Sequence, residues 1–238
     1  NPALGREKEC EIHLTEKPET VLVAGGGIAG LEAAIILKKR GHDPILCEAT
    51  DTLGGQFLTA GEAPRKKEMK AAAISMAKKA ERLGVDIRMN TKVTPEMIEE
   101  IKPHTVMNAI GAESIIPPIP GVDKAFVKDS HDVLDGKAEA TGNVVIGGGM
   151  VGMETAEYLA EKGAKVSVLE MLPDICSDMG TTRKICMGEE IQKSGIIPVT
   201  SIKVTEIGDN VVIGEKDGEK VEFPCDTAVL AIGAKKRD

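Results

Sequence analysis

Two glycine-rich turns contain the residues whose spacing points to chemistry. Each has the pattern Gly-x-Gly-x-x-Gly, at Gly25, Gly27 and Gly30 and again 122 residues later over 147–152. In such a turn the first glycine permits a sharp bend, the second lets a phosphate approach the backbone, and the third lets a helix pack on a strand. A diphosphate can then rest on unpaired N–H groups at the positive end of the helix dipole. The pattern therefore predicts nucleotide binding.

A glutamate follows each turn at the same distance. Glu48 lies 23 residues after Gly25, and Glu170 lies 23 residues after Gly147. A carboxylate at the end of the second strand can accept hydrogen bonds from the ribose of an adenine nucleotide. One such motif is weak evidence, because a glycine turn without a ligand explains it as well, but two copies in register predict two dinucleotide sites. Because a carboxylate repels a 2′-phosphate, we expect NADH rather than NADPH at the second site.

The elements that must position these residues repeat at the same offset. A short apolar run, the glycine turn, a helix and a second apolar run occupy residues 21–48 and again 143–170. The sequence Ala-Ile-Gly-Ala closes both halves, at 109–112 and at 231–234. Strand–helix–strand units of this length form parallel pairs with right-handed crossovers. We therefore predict an α/β protein with two Rossmann-like, three-layer dinucleotide-binding domains.

The proline-rich segment 116–121 is the predicted boundary between the two domains. Three prolines in six residues continue neither a helix nor a central strand. We expect an N-terminal extension over 1–19, a first domain over 20–115 and a second domain over 116–238.

The composition disfavours several other classes of protein. The 238 residues have a formal charge of −8, with one Tyr, three Phe and no Trp, which argues against a nucleic-acid surface. No apolar run approaches the roughly 20 residues that cross a bilayer, and no secretory signal opens the sequence. The cysteines form no CxxC pair and, like the scattered histidines, show no metal-binding spacing. We therefore expect reduced thiols, no metal site and a cytoplasmic location.

The motifs together resemble the flavoproteins with two dinucleotide-binding domains, in which FAD occupies the first domain and NAD(P)H the second. The narrower resemblance is to the C-terminal portion of the iron–sulfur relatives of old yellow enzyme, which include 2,4-dienoyl-CoA reductase, 2-enoate reductase and trimethylamine dehydrogenase. It depends on NPALGRE at 1–7, GGQF at 54–57, PPIPG at 117–121 and DVL at 132–134. The resemblance covers essentially the whole chain.

This resemblance implies a longer polypeptide in which a [4Fe–4S] segment and an FMN-carrying barrel precede Asn1. In the family, hydride passes from NADH to FAD, and electrons then pass through the cluster to FMN and to an enoate, enone or dienoyl-CoA substrate. The family chain also returns to the FAD domain with a Gly-Asp pair after the second AIGA segment. Gly208-Asp209 is not that pair, because it lies between two apolar runs and is predicted to form a hairpin turn. The first domain is therefore expected to lack its C-terminal segment, and the chain to hold FAD weakly or not at all.

The expected cofactor-binding residues follow from the motifs and from the resemblance. For FAD they are Gly25, Gly27, Ile28, Ala29, Gly30, Glu48, Ala49, Gly54, Gly55, Gln56, Val93, Ala109, Ile110 and Gly111. For NADH they are Gly147, Gly149, Met150, Val151, Gly152, Glu154, Glu170, Met171, Ala231, Ile232 and Gly233. Val93 is expected in a strand over 87–93. Glu154 has two interpretations: it reaches the nicotinamide, or it is a first-turn carboxylate that favours the helix dipole.

The glycine pair Gly54-Gly55 distinguishes the two sites. The second half has Cys176-Ser177 at the corresponding positions. A glycine pair lets backbone approach a bulky ligand, which favours the larger cofactor at the first site, although a surface turn explains the pair as well.

Other functions fit parts of this pattern. A disulfide reductase of the same superfamily would need a redox cysteine pair beside the flavin, and the closest spacing here is Cys176 to Cys186. A non-catalytic electron-transfer or dinucleotide-binding module is the second alternative. A dehydrogenase with one cofactor would leave one glycine motif unused.

Overall fold

The computed structural model describes residues 3–177 and 179–237, which form two compact units. The first unit extends to Gly61 and resumes over 68–111, and the second comprises 62–67 and the chain from Ala112 onward. The division falls four residues before the predicted boundary, because residues 112–114 already pair with a strand of the second unit.

The first unit is built around a four-stranded parallel sheet. Its elements are β1 (Thr20–Ala24), α1 (Ile28–Lys39), β2 (Asp43–Cys47), α2 (Gln56–Ala60), α3 (Lys67–Arg82), β3 (Asp86–Arg88), α4 (Pro95–Ile101) and β4 (Thr105–Asn108). The strand order is β3-β2-β1-β4, and every neighbouring pair is parallel. The carboxyl ends of these strands therefore meet at one edge of the sheet.

The core of the first unit lies between this sheet and the helices α1 and α3. Leu31 and Ile35 of α1 are fully buried against Val23 and Leu46 of the two central strands, and Ala80 of α3 completes the cluster. Small residues on α3 let it approach closely, and the apolar area removed from water stabilises the unit by roughly 25 cal/mol per Å². This packing fixes the glycine turn between β1 and α1.

The predicted strand over 87–93 is wrong in its second half. β3 ends at Arg88, and Asn90 then has φ +52°, which turns the chain. Thr94 caps α4 by accepting a hydrogen bond from the N–H of Met97, with a proline in the first turn. Val93 therefore lies in the segment between the turn at 89–90 and α4, and the N-cap at Thr94 sets where the helix begins.

The second unit contains a five-stranded parallel sheet and a smaller antiparallel sheet. Its elements are β5 (Ala112–Ser114), β6 (Val127–Asp129), α5 (Ser130–Leu134), β7 (Asn143–Ile146), α6 (Met150–Glu161), β8 (Val166–Leu169), α7 (Thr181–Ser194), β9 (Ile197–Val199), β10 (Lys203–Ile207), β11 (Val211–Lys216), β12 (Glu219–Pro224), β13 (Thr227–Leu230) and β14 (Ala234–Lys236). The parallel sheet has the order β6-β13-β7-β8-β9, and β10-β11-β12 form the antiparallel sheet.

The second unit has three layers. Successive residues of β7 point to opposite faces: Val145 packs with the helices, whereas Val144 and Ile146 pack with Ile207 and Val212 of the antiparallel sheet. A strand buried on both faces needs consecutive apolar residues, which is why Val144, Val145 and Ile146 follow one another in β7. The predicted α/β fold with Rossmann-like domains is confirmed.

Two smaller predictions can be compared with the structure. Gly208 lies between the antiparallel strands β10 and β11, and its N–H donates to the carbonyl of Val211 at 2.9 Å, so the hairpin turn is confirmed. Among the described residues, no helix is both long and apolar enough to cross a membrane.

Candidate dinucleotide-binding sites

The first glycine turn joins β1 to α1, and its three glycines have different surroundings. Gly25 has φ +106°, and a Cβ atom there would lie 2.3 Å from the carbonyl oxygen of Ala109. A Cβ on Gly30 would lie 1.9 Å from the carbonyl oxygen of Gly25. Gly27, in contrast, has its nearest neighbour at 3.9 Å. Packing therefore requires the first and third glycines, and the second faces space that a ligand can occupy.

The second turn, between β7 and α6, repeats this arrangement. Gly147 has φ +109°, and its Cβ would lie 2.4 Å from the carbonyl oxygen of Ala231. A Cβ on Gly152 would lie 1.9 Å from the carbonyl oxygen of Gly147, whereas one on Gly149 would meet no described atom within 4 Å. The space beside Gly149 at the N-terminus of α6 is therefore open, and a diphosphate there could accept hydrogen bonds from the first N–H groups of the helix.

The two glutamates lie beside the turns, held by backbone N–H groups. Oε2 of Glu48 accepts from the N–H of Gly26 at 2.7 Å, and its Oε1 accepts from Thr50. Oε2 of Glu170 accepts from the N–H of Gly148 at 2.7 Å, and its Oε1 accepts from Leu172 at 2.7 Å. An ionised carboxylate has about four acceptor positions, so both retain capacity for ribose hydroxyls. Backbone donors carry no residue-type signal, so these were not predicted from the sequence, although their positions also repeat at the 122-residue offset.

The segment after each glutamate returns to the glycine turn. The N–H of Gly54 donates to the carbonyl of Gly26 at 2.9 Å, and the N–H of Cys176 donates to that of Gly148 at 2.8 Å. At Gly55 a Cβ would lie 3.0 Å from the Cα of Gly27, and φ is +53°. Contact with the turn itself therefore favours glycine at position 55. Asp178, in the corresponding part of the second half, lies outside the described residues.

The AIGA segments follow β4 and β13 and complete each turn. The N–H of Ala109 donates to the carbonyl of Ala24, and the N–H of Ala231 donates to that of Ile146, both at 2.8 Å. Gly111 and Gly233 both have positive φ, so the chain bends away after each strand. In the first sheet the chain continues from β1 to β2 on one side, and β4 pairs with β1 on the other side. In the second sheet β8 and β13 flank β7 in the same way. Each glycine turn therefore lies where the strand order reverses, which is where α/β sheets bind ligands.

The remaining predicted residues are placed as follows. Five of them begin the helices that follow the two glycine turns and the Gly54-Gly55 pair. They are Ile28 and Ala29 of α1, Gln56 of α2, and Met150 and Val151 of α6. Ala49 and Met171 are exposed residues directly after the two glutamates, and Ile110 and Ile232 lie inside the AIGA segments. Val93 is separated from the end of β3 by the turn at 89–90 and belongs to none of these clusters.

The structure shows partners of Glu154 that neither interpretation of the sequence included. It is the fifth residue of α6, whose first turn contains no acidic residue, so its interpretation as a first-turn carboxylate is wrong. The side chain is buried, and its Oε1 forms an ion pair with Nζ of Lys66 and lies 3.5 Å from Nη2 of Arg183. No local sequence pattern predicts Lys66 or Arg183 as a partner of Glu154, because both lie far from it along the chain.

A histidine cluster lies at the carboxyl end of β6. Nδ1 of His131 lies 3.2 Å from the Asp129 carboxylate and 3.1 Å from Oγ of Ser114. Burial opposes the ionisation of Asp129, but hydrogen bonds from His131 and Ser114 outweigh it and lower its pKa to about 2. The hydrogen bond to Asp129 raises the pKa of His131. One ring nitrogen faces both partners, whereas a hydrolytic triad uses both nitrogens, so the cluster does not have the geometry of a proton relay.

Two parallel-sheet units, each with an open second glycine and a carboxylate beside the turn, are typical of proteins with two dinucleotide-binding domains. Residues 95–238 match the model of the pyridine nucleotide-disulphide oxidoreductases, and residues 20–111 match that of the FAD dependent oxidoreductases. The chain belongs to the pyridine nucleotide-disulphide oxidoreductase family. It is an FAD- and NAD-binding module of the flavin oxidoreductases.

Individual relatives narrow this assignment. The chain is 41% identical over 236 residues to the bilirubin reductase of Mediterraneibacter gnavus, covering 99% of this chain and 37% of the relative. It is also 41% identical over 240 residues to the NADH oxidase of Thermoanaerobacter brockii, covering 98% of this chain and 37% of the relative. The solved 2-naphthoyl-CoA reductase complex with 2-naphthoyl-CoA superposes with a TM-score of 0.93 at 30% identity, covering 98% of this chain and 36% of that one.

These matches confirm the resemblance to the FAD/NAD-binding portion of the iron–sulfur relatives of old yellow enzyme. The chain spans about 37% of the length of these two curated relatives.

Proposed function

We propose that this chain accepts hydride from NADH: it binds FAD at the turn of the first unit and NADH at the turn of the second. The observation that carries this proposal is the equivalence of the two turns, in which packing requires the outer glycines while the middle glycine faces open space. When both cofactors are bound, the flavin receives two electrons and a proton as hydride from the nicotinamide. The chain itself supplies binding and orientation.

At the second site, we assign the diphosphate to the N-terminus of α6 and the adenosine ribose to Glu170. The helix dipole and the unpaired N–H groups favour the diphosphate anion there. The backbone bonds from Gly148 and Leu172 hold the carboxylate in place before any nucleotide binds. The same carboxylate disfavours a 2′-phosphate, which supports a preference for NADH over NADPH.

At the first site, the corresponding roles fall to α1 and Glu48. The Gly54-Gly55 pair, which contacts Gly27, borders the place where the diphosphate of FAD would approach. The AIGA segment at 109–112 borders the same turn and is proposed to lie beneath the flavin half of the cofactor.

We further propose that electrons leave the flavin toward a [4Fe–4S] cluster and an FMN-carrying barrel elsewhere in the full-length protein. The substrate there would be an enoate, an enone or a dienoyl-CoA type compound. Support comes from relatives described as bilirubin reductase, cinnamate reductase and 2-naphthoyl-CoA reductase, of which this chain covers only 35–37%.

The test is NADH oxidation with an artificial electron acceptor after FAD is added to the purified chain. Turnover that requires both FAD and NADH would support the proposal. Binding of both nucleotides without turnover would favour the non-catalytic module instead. Failure of either nucleotide to bind in calorimetry would contradict the proposal itself.

The same assay addresses the disulfide reductase alternative. Among the described residues the five cysteines form no disulfide, and Cys47, Cys176 and Cys225 are buried. Burial raises the pKa of the Cys47 thiol and raises that of Cys225 to about 11, so neither favours the reactive thiolate. We therefore expect the chain to reduce artificial acceptors and not small disulfides.

A further inference from the structure

Two buried carboxylates on α6 are neutralised by a segment from a different part of the chain. Segment 62–67 belongs to the second unit, although residues 68–111, which separate it from the rest of that unit in sequence, belong to the first. Nζ of Lys66 forms an ion pair with Oε1 of Glu154, and Nη2 of Arg65 lies 3.2 Å from Oε2 of Glu157. Glu154 and Glu157 are only 6% and 5% exposed. None of these contacts belongs to the glycine turn or to Glu170.

Lys66 is the principal counter-charge of Glu154. The side chain of Lys66 is 18% exposed, whereas that of Arg183, 3.5 Å from the same oxygen, is 52% exposed. An exposed and longer ion pair is largely screened by water, while a buried carboxylate that loses its partner is strongly disfavoured. Arg65 cannot substitute for Lys66 without leaving Glu157, Glu161 and Glu190, with which it is already paired.

The position of Glu154 on α6 connects this ion pair with the second nucleotide site. Glu154 lies five residues after the N-cap Gly149, which is about 7.5 Å along the helix axis at roughly 1.5 Å per residue. A buried negative charge at this distance opposes an anion at the helix N-terminus, and the low local dielectric strengthens the repulsion. Neutralisation by Lys66 removes most of it.

We propose that Lys66 is a positioning residue for the nicotinamide nucleotide: by neutralising Glu154 on α6, it allows the N-terminus of that helix to bind a diphosphate. This inference rests on the proposed function, because it assumes that NADH binds at the second turn. Lys66 acts through Glu154 and needs no contact with the nucleotide.

The experiment is a double-mutant cycle read as the Kd of NADH in calorimetry. Lys66→Met should raise the Kd about tenfold, the scale of one partly screened charge interaction at this distance. Lys66→Arg, which keeps the charge, should restore binding to within about threefold of the wild type. Lys67→Met is the matched control, since Lys67 is the next residue and is exposed. An unchanged Kd in Lys66→Met would contradict the inference.

The second half of the cycle repeats the Lys66 substitution in a Glu154→Gln background. It distinguishes repulsion by Glu154 from a direct contact between Lys66 and NADH and from misfolding. In a Glu154→Gln background, Lys66→Met should change the Kd by less than about twofold, because the charge that it neutralises is gone. A tenfold loss in that background would show that Lys66 acts by another route. If Lys66→Met alone fails to fold, Lys66→Gln replaces it in both backgrounds with the same expected changes in Kd. Lack of NADH binding by the wild-type chain would contradict the proposed function as well, whereas binding that is insensitive to Lys66 contradicts only this inference.

Discussion

Replacing Gly149 by alanine should separate nucleotide binding from folding. Gly149 is the N-cap of α6, with φ −71° and ψ −177°, values that alanine adopts without strain. A Cβ there meets no described atom within 4 Å. The new methyl group would instead occupy the space above the first N–H groups of the helix, where we place the diphosphate.

The magnitude follows from this geometry. An alanine N-cap costs at most about 1 kcal/mol relative to glycine, which corresponds to a fall in Tm of roughly 2–4 °C for a chain of this size. Displacing the diphosphate from one charge-assisted hydrogen bond costs about 1.5–3 kcal/mol. The Kd of NADH should therefore rise about 10- to 100-fold.

The assay combines calorimetric titration of NADH with thermal unfolding followed by circular dichroism. Gly152→Ala is the matched control, because its Cβ would lie 1.9 Å from the carbonyl oxygen of Gly147 and the variant should lose stability without a ligand present. Wild-type affinity in a folded Gly149→Ala chain would refute the assignment of the diphosphate to this turn. A large loss of stability in Gly149→Ala would refute the claim that this glycine faces open space.

The remaining predictions address specificity, pH dependence, thiols and flavin. Glu170→Gln should lower the preference for NADH over NADPH by about tenfold in steady-state kinetics, since the charge that repels a 2′-phosphate is removed. The pKa of His131 is raised above 6.5, so its ion pair stabilises the fold below that pH, and this contribution is lost as the pH rises through the folded-state pKa. Urea unfolding at about pH 5.5 and about pH 9 should show a loss on the order of 1 kcal/mol that His131→Gln lacks. Iodoacetamide should label the exposed Cys10 and Cys186 in the native chain and the three buried cysteines only after denaturation, as counted by mass spectrometry. Purified chain should contain less than one FAD per chain by absorbance, because the edge strand β4 leaves Met107 exposed and the sheet incompletely covered; a stoichiometric flavin spectrum would show otherwise.

The sequence by itself determined the repeated part of this protein. The glycines at 25, 27 and 30 recur at the same spacing in the second half, and so does the glutamate that follows them. Such features are local: a turn that needs positive φ requires glycine, and a strand buried on both faces requires an apolar run. These requirements act on neighbouring residues, so they remain visible in the order of amino acids.

Only the tertiary structure decided contacts between residues that are distant along the chain. The requirement for glycine at Gly55 comes from Gly27, and the counter-charge of Glu154 comes from Lys66. No periodicity records such pairs, because each depends on where the fold brings two segments together, and a buried charge finds its partner in space rather than in sequence.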